Sequence, residues 1–280
     1  MRAFRAAVQI TVLAGCLASA TQSSAQVPAT VRQFGAPVAP MFEGWYRNSD
    51  GTATILVGFF NPNKSQTVDL PVSDLNRFSP GTEDRGQPTH FPPGRSWGVL
   101  TLRVPGDFDG DLTWTLTAND QPATIPVHLE APYFIEPFRD AADGNEPPTI
   151  RFAPSGEAHT GPPVGIAQRL TATVGTPLNV RVWTSDVKPE ADAHEDATPG
   201  AQAPALRLRW HLHRGPSEVQ FDESVHTFRD SANQNAATTV TFSSPGDYWL
   251  RAEALDETGA GGGGFQCCWT SAIVHVTVSQ

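Results

Sequence analysis

Long helical patterns are missing from this sequence. No stretch of ten or more residues repeats its apolar side chains with the period of an α-helix, and 25 prolines and 24 glycines would interrupt long helices. Short alternating runs rich in Val, Thr, Trp and Phe recur instead, separated by clusters of Pro, Gly, Asn and Asp. This pattern is typical of sandwiches, so we predict an all-β fold.

Local signatures of catalysis are also missing. The sequence contains no nucleophile-elbow pattern, no H-E-x-x-H motif and no credible pair of catalytic carboxylates. The members of a catalytic triad need not be close in sequence, so this absence lowers the odds of an enzyme without excluding one. We therefore predict no catalytic residue and no cofactor other than the metal ion considered below.

Basic charge is scarce. The chain carries 19 lysines and arginines against 29 aspartates and glutamates, a formal net charge of −10. A nucleic-acid backbone requires a basic stripe, and an anionic lipid surface attracts basic segments. Neither is expected as a partner, and the acidity suits solubility outside the cytoplasm.

The first 25 residues have the pattern of a secretory signal peptide. Arg2 and Arg5 precede an apolar stretch at residues 6–17, and residues 23–25 (Ser-Ser-Ala) offer small side chains at the cleavage position. The stretch is shorter than the ~20 apolar residues that span a bilayer. We expect a freely secreted or periplasmic protein. The alternative is a lipoprotein anchored through Cys16, because Leu-Ala-Gly-Cys resembles a bacterial lipobox.

The remaining length fits two sandwich domains better than one. We predict an N-terminal domain at residues 26–139, an exposed acidic and proline-rich linker at 140–148, and a second domain at 149–280. Strands are expected in the first domain at 52–60, 67–71, 98–104, 112–118 and 123–129, with residues 26–40 irregular. Asn119 and Asp120 are expected to form a tight hairpin turn.

A long segment without periodicity lies at residues 73–96 of the first domain. Loops longer than ~15 residues are uncommon in a compact domain and are usually functional or disordered. This one carries Phe78, His90 and Phe91 among polar residues. We expect it to fold back onto the domain.

The second domain resembles a PKD domain, a branch of the immunoglobulin-like sandwiches. The resemblance is carried by residues 206–210 (Leu-Arg-Leu-Arg-Trp), 214–216, 219–221, 238–242, 245–250 (Pro-Gly-Asp-Tyr-Trp-Leu), 254–256 and 273–278. It departs at an acidic insert, 185–205, and at a glycine-rich Cys-Cys segment. The resemblance implies an architecture and a non-catalytic spacer, adhesion or binding role, with a protein or glycan partner outside the cytoplasm. The whole chain also resembles a family of exported bacterial proteins, which implies no activity.

Alternation in the second domain separates an apolar face from a polar one. Leu206, Leu208, Trp210 and Leu212 share one strand face, which predicts a buried Trp210. If three strands of this domain are neighbours, the opposite face collects His211, His213, Trp249, Arg251, Glu253 and His275. Two interpretations stay open for that face. It is an exposed polar surface, or His211, His213 and His275 hold a metal ion.

The tract Gly261–Gly264 is followed by Phe265, Cys267, Cys268 and Trp269, a candidate binding site. Neighbouring cysteines have three possible states: a strained vicinal disulfide, reduced thiols on a soft metal such as copper or zinc, or one buried cysteine beside an inert partner. We predict a non-catalytic binding or structural module. The alternative is a redox-active or metal-handling protein that uses this pair.

Overall fold

The computed structural model describes residues 32–136, 138, 144–187, 204–259 and 267–280. These residues form seventeen strands and one short 3-10 turn at Ala131–Tyr133, which confirms the all-β prediction. In chain order the strands are β1 (Ala39–Arg47), β2 (Thr52–Asn61), β3 (Val68–Asp69), β4 (Asn76–Ser79), β5 (His90–Phe91), β6 (Gly94–Pro105), β7 (Thr113–Ala118), β8 (Gln121–Pro126), β9 (Thr149–Arg151), β10 (Gln168–Thr173), β11 (Leu178–Ser185), β12 (Leu206–Arg214), β13 (Val219–Phe221), β14 (Val225–Phe228), β15 (Gln234–Phe242), β16 (Gly246–Asp256) and β17 (Trp269–Ser279). No helix in this part of the chain is long and apolar enough to cross a membrane.

The N-terminal half packs two three-stranded sheets, β1-β2-β6 and β4-β7-β8, with a small β3-β5 pair beside them. Its core collects the inward side chains of these strands, including Ile55, Phe78 and Trp114, which are fully buried. The rings of Phe78 and Trp114 stack at 5.7 Å. Asn119 and Asp120 have φ of 51° and 59°, so the predicted hairpin turn between β7 and β8 is confirmed.

The segment at 73–96 folds back onto the domain, as predicted, but it is less irregular than the sequence indicates. It contributes β4 and β5, and Phe78 and Phe91 are fully buried. The buried Asn76 amide donates to the backbone oxygens of Leu70 and Pro88, at 2.9 and 2.8 Å. These bonds satisfy two backbone carbonyls through a side chain. A buried polar residue therefore holds in place a segment that shows no apolar period.

Strand β1 is not predicted from the sequence. Residues 26–40 are expected to be irregular, and the first predicted strand begins at residue 52. Its alternation is interrupted by a bulge between Phe42 and Gly44, which adds one residue to β1 opposite β2. A second bulge interrupts the β2–β6 pairing between Val57 and Phe59. Bulges shift the period of two by one residue, which hides such a strand from pattern analysis.

The C-terminal half is an immunoglobulin-like sandwich by its sheet order. One sheet has the order β10-β17-β16-β12-β14 and the other β13-β15-β11-β9. With β9, β11, β12, β15, β16 and β17 taken as strands A, B, C, E, F and G, these are the A-B-E and C-F-G sheets of that fold. Trp210 on β12 is 4% exposed, as the alternation predicts. Tyr248 on β16 donates its hydroxyl to the Ser244 carbonyl at 2.9 Å, the tyrosine corner of immunoglobulin-like domains.

The described part of the predicted linker is not exposed throughout. Asn145 is buried and donates to the Asp256 carboxylate at 2.6 Å, and Thr270 donates to the Pro148 carbonyl. Glu146 alone among residues 144–148 is exposed. The expectation of an exposed connector is therefore wrong for Asn145 and Pro148, because the Asn145 side chain and the Pro148 carbonyl are bonded to the C-terminal half.

Candidate functional site

The polar face of the β17-β16-β12 sheet is covered over part of its area. His213 bonds the Gly86 carbonyl through Nε2 at 2.9 Å, and the Thr89 N–H donates to the His213 carbonyl at 2.9 Å. Arg214 makes two bonds to the Asp84 carboxylate, at 2.6 and 3.1 Å, which lower the pKa of Asp84. The exposed-face interpretation is therefore wrong for His213, Arg251 and Glu253, while His211, Trp249 and His275 are half-buried. The face is the junction between the two halves of the chain.

A charged network is buried on this face. Glu253 accepts from Arg251 at 3.0 Å and bonds His211 Nε2 at 3.1 Å, and Arg209 lies 3.8 Å away. Arg251 also donates to the Ser271 hydroxyl at 3.0 Å. The side chains of Arg251 and Glu253 are 3% and 5% exposed. Charges so deeply buried persist because they are paired and hydrogen-bonded.

The three histidines proposed as metal ligands have separate partners. His211 bonds Glu253, His213 stacks on the Trp249 ring with centroids 6.0 Å apart, and His275 lies 3.0 Å from the Asp247 carboxylate. Within the described ranges, no group of three or more His, Cys, Asp or Glu side chains is placed to hold a metal ion. The structure thus does not bring His211, His213 and His275 together as one ligand set.

A second buried charge lies in the N-terminal half and was missed by the sequence. Glu43 is the extra residue of the β1 bulge, and its carboxylate accepts from Arg95 at 2.5 Å and from the Gly98 N–H at 2.7 Å. A side chain at position 58 would overlap this carboxylate, so Gly58 makes room for it. Burial raises the pKa of Glu43 to about 7, against the opposing effect of Arg95. The sequence offers only a weak signal for this site, namely a glutamate followed by Gly44 on one strand and a second glycine, Gly58, on the next strand.

The Cys-Cys segment enters this same junction. Cys267 and Cys268 are joined as a disulfide across a cis peptide bond, and they are 6% and 1% exposed. The Cys267 sulfur lies 3.5 Å from the Asn145 carbonyl oxygen. Trp269 is fully buried in a small cluster with Leu56, Phe138 and Leu255. The fourth predicted site residue, Phe265, lies outside the described residues.

Trp269 packs directly on the backbone of Gly98. A Cβ atom at position 98 would overlap the indole ring, and Gly98 has φ of +50°. Gly98 lies on β6 and Trp269 on β17, so this contact joins the two halves of the chain. Close approach of this kind is one of the few reasons for which a strand requires glycine.

Gly98→Ala is therefore expected to destabilise the protein by about 1–3 kcal/mol through overpacking. Gly94→Ala is a matched control, because Gly94 lies on the same strand with φ of +98° and an added Cβ meets nothing within 4 Å. Denaturant unfolding of both variants separates the clash from the backbone strain that they share. A Gly98→Ala variant as stable as the unchanged chain would contradict the contact with Trp269.

His213 is expected to make the protein sensitive to acid. Burial lowers the pKa of His213 from 6.5 to about 3, with Arg251 and Arg214 acting in the same direction and the Gly86 hydrogen bond opposing them. A base with a lowered folded-state pKa contributes stability that is present above pH 6.5 and is lost as pH falls toward 3. The slope is about 1.4 kcal/mol per pH unit per proton. Between about pH 6 and pH 4, the free energy of unfolding of His213→Gln should fall less steeply than that of the unchanged chain. Equal slopes for the two proteins in denaturant unfolding would contradict this prediction.

Comparison with known proteins supplies no family. No protein-family model matches the chain, and no curated protein matches it. Among solved structures, the chain is similar to PapD-like domain 7 of human CEP192, with a TM-score of 0.29, 8% identity, and coverage of 55% of this chain and 99% of that one. It is also similar to the D00-D0 domain of intimin, with a TM-score of 0.26, 10% identity, and coverage of 87% of this chain and 100% of that one. For the Yersinia pseudotuberculosis adhesin InvE the TM-score is 0.23, the identity is 13%, and the coverage is 87% of this chain and 60% of that one. Similarities this low add nothing to what the sheet order already establishes.

Proposed function

We propose that this chain is an exported, non-catalytic binding or structural module built from two β-sandwich domains. The domains are residues 26–139 and a PKD-like domain at 149–280, joined by residues 140–148. Residues 1–25 act as a cleaved signal peptide, so the protein is free outside the cytoplasm or in the periplasm. The partner is a protein or a glycan. A structural or binding role suits a chain in which the cysteine pair and the buried charges Arg251 and Glu253 lie at the junction between its two halves.

The burial of the Cys-Cys pair carries this proposal. A redox-active disulfide must meet a thiolate in line with its sulfur atoms, so it requires access. Cys267 and Cys268 are 6% and 1% exposed, beneath Asn145 and beside Trp269. The histidines of the same face are paired with carboxylates or backbone. These observations favour a structural disulfide over the alternative of a redox-active or metal-handling pair.

Thiol chemistry on the purified, unreduced protein tests this choice. We expect no alkylation of the 261–273 peptide by iodoacetamide and a mass two hydrogens below the dithiol, both before and after incubation with a chelator. In the native state, dithiothreitol should reduce the bond only at the rate of unfolding, because the sulfurs are buried. Fast native reduction would favour a redox role, and alkylation that appears only after chelation would favour a metal role. The double variant with serine at 267 and 268 is the control for the peptide assignment.

A further inference from the structure

A cleft of about 230 Å³ opens between the two halves, next to the buried polar face. His90 and Pro92 line it from the N-terminal half, and His211, Glu218 and Phe221 line it from the C-terminal half. We propose that this cleft binds a single sugar ring of a glycan. The inference rests on the proposed binding function and names the class of ligand and the site.

Two imidazoles in the cleft each have one ring nitrogen bonded to a carboxylate. His90 bonds the Asp69 carboxylate through Nδ1 at 2.7 Å, and His211 bonds Glu253 through Nε2 at 3.1 Å. A carboxylate partner accepts the ring N–H, so the other nitrogen of each neutral ring becomes a hydrogen-bond acceptor. Those two nitrogens, Nε2 of His90 and Nδ1 of His211, have no partner among the residues that the structure describes. The cleft therefore offers two oriented acceptors.

The third polar group is also an acceptor. Glu218 is exposed, its carboxylate has no bonded partner among the described residues, and it lines the same cleft. A ligand that satisfies three acceptors must carry several hydrogen-bond donors, and an anion would be repelled by the carboxylate. The net charge of −10 acts in the same direction. Neighbouring hydroxyl groups of a neutral sugar meet this requirement.

The apolar lining and the size complete the match. Phe221 and Pro92 line the cleft, and both are half-buried. Sugars have an apolar face of C–H groups as well as a polar rim, and ligand sites combine an apolar lining with a few placed polar groups. The volume of about 230 Å³ is below the ~300–1,000 Å³ of drug-sized pockets. It therefore fits one ring, with the rest of a glycan outside.

Saturation-transfer NMR of the full chain with methyl glycosides of glucose, galactose, mannose and N-acetylglucosamine tests the proposal. A ring of about a dozen non-hydrogen atoms should bind with a Kd on the order of 1 mM. Glu218→Gln and His90→Gln are each expected to weaken binding by at least about fivefold, as for a lost hydrogen bond to a charged or oriented group. Glu223→Gln is the matched control, since Glu223 is an exposed acid close in sequence that does not line the cleft. It should leave the Kd unchanged.

Unchanged melting temperatures in all three variants exclude loss of folding as the cause of weaker binding. The proposal is overturned if none of the four glycosides gives saturable transfer, or if zinc chloride alone binds with a stoichiometry that His90→Gln abolishes. Sugar binding that survives both cleft substitutions would also overturn it, while leaving the proposed binding module intact. Turnover of a glycoside would instead refute the non-catalytic function.

Discussion

Trp269→Ala is expected to lower the free energy of unfolding by about 3–5 kcal/mol, the cost of truncating a fully buried tryptophan. Trp269 is 0% exposed, lies edge-on to Phe138 with ring centroids 5.2 Å apart, and covers Gly98. Its cluster draws Leu56 from the N-terminal half and Leu255 from the C-terminal half. The loss therefore weakens the junction between two cores, and we expect this variant to unfold in two transitions.

The indole N–H of Trp269 refines this expectation. It is buried without a hydrogen-bond partner within the described part of the chain, and such a group costs about 1–3 kcal/mol. Trp269→Phe removes that cost while keeping most of the apolar contact, so we expect it to lose much less than the alanine variant. Trp183→Ala is the control, because Trp183 is half-buried on the outer side of β11. Urea melts that show equal losses at 183 and 269 would contradict the packing described here.

The fold was largely predictable because its strands obey simple alternation. The face of β12 with Leu208 and Trp210 is buried as predicted, and the Asn119 turn forms the expected hairpin. Strand β1 was missed because a bulge at Glu43 breaks its period. β4 and β5 were missed because hydrogen bonds of Asn76, which leave no apolar period, hold their segment in place.

The site was predictable only in part. Alternation placed His211, Arg251 and Glu253 on one face, and the structure keeps them together there. It could not show that the face is covered, because a polar face buried by another domain has the same period as one that faces water. The partners of that face, Gly86 and Gly98, come from more than a hundred residues earlier in the chain. No local pattern connects them to it.

Glu253→Ala is expected to destabilise the protein by about 3–5 kcal/mol, because it leaves the Arg251 charge buried without its carboxylate. Arg251 is 3% exposed, and it keeps its bond to the Ser271 hydroxyl at 3.0 Å and an electrostatic attraction to the Glu43 carboxylate. Asp247→Ala is the control. Asp247 also accepts from a basic side chain, His275 at 3.0 Å, but it is 66% exposed, so its loss should cost less than about 1 kcal/mol.

A double variant separates the cost of a stranded charge from the worth of the ion pair. If the loss in Glu253→Ala comes from an unpaired Arg251, replacing both residues by methionine should recover most of it.

The dependence of stability on acid adds an independent measure. Burial acts to raise the pKa of Glu253, but Arg251 and His211 hold it below its usual range. A lowered carboxyl pKa contributes stability that is present above pH 4.5 and lost as pH falls below it, so the double variant should lose less stability in acid than the unchanged chain. A double variant as unstable as Glu253→Ala at pH 7 would mean that the pair itself, through its bonds to His211 and Ser271, stabilises the junction more than apolar packing can.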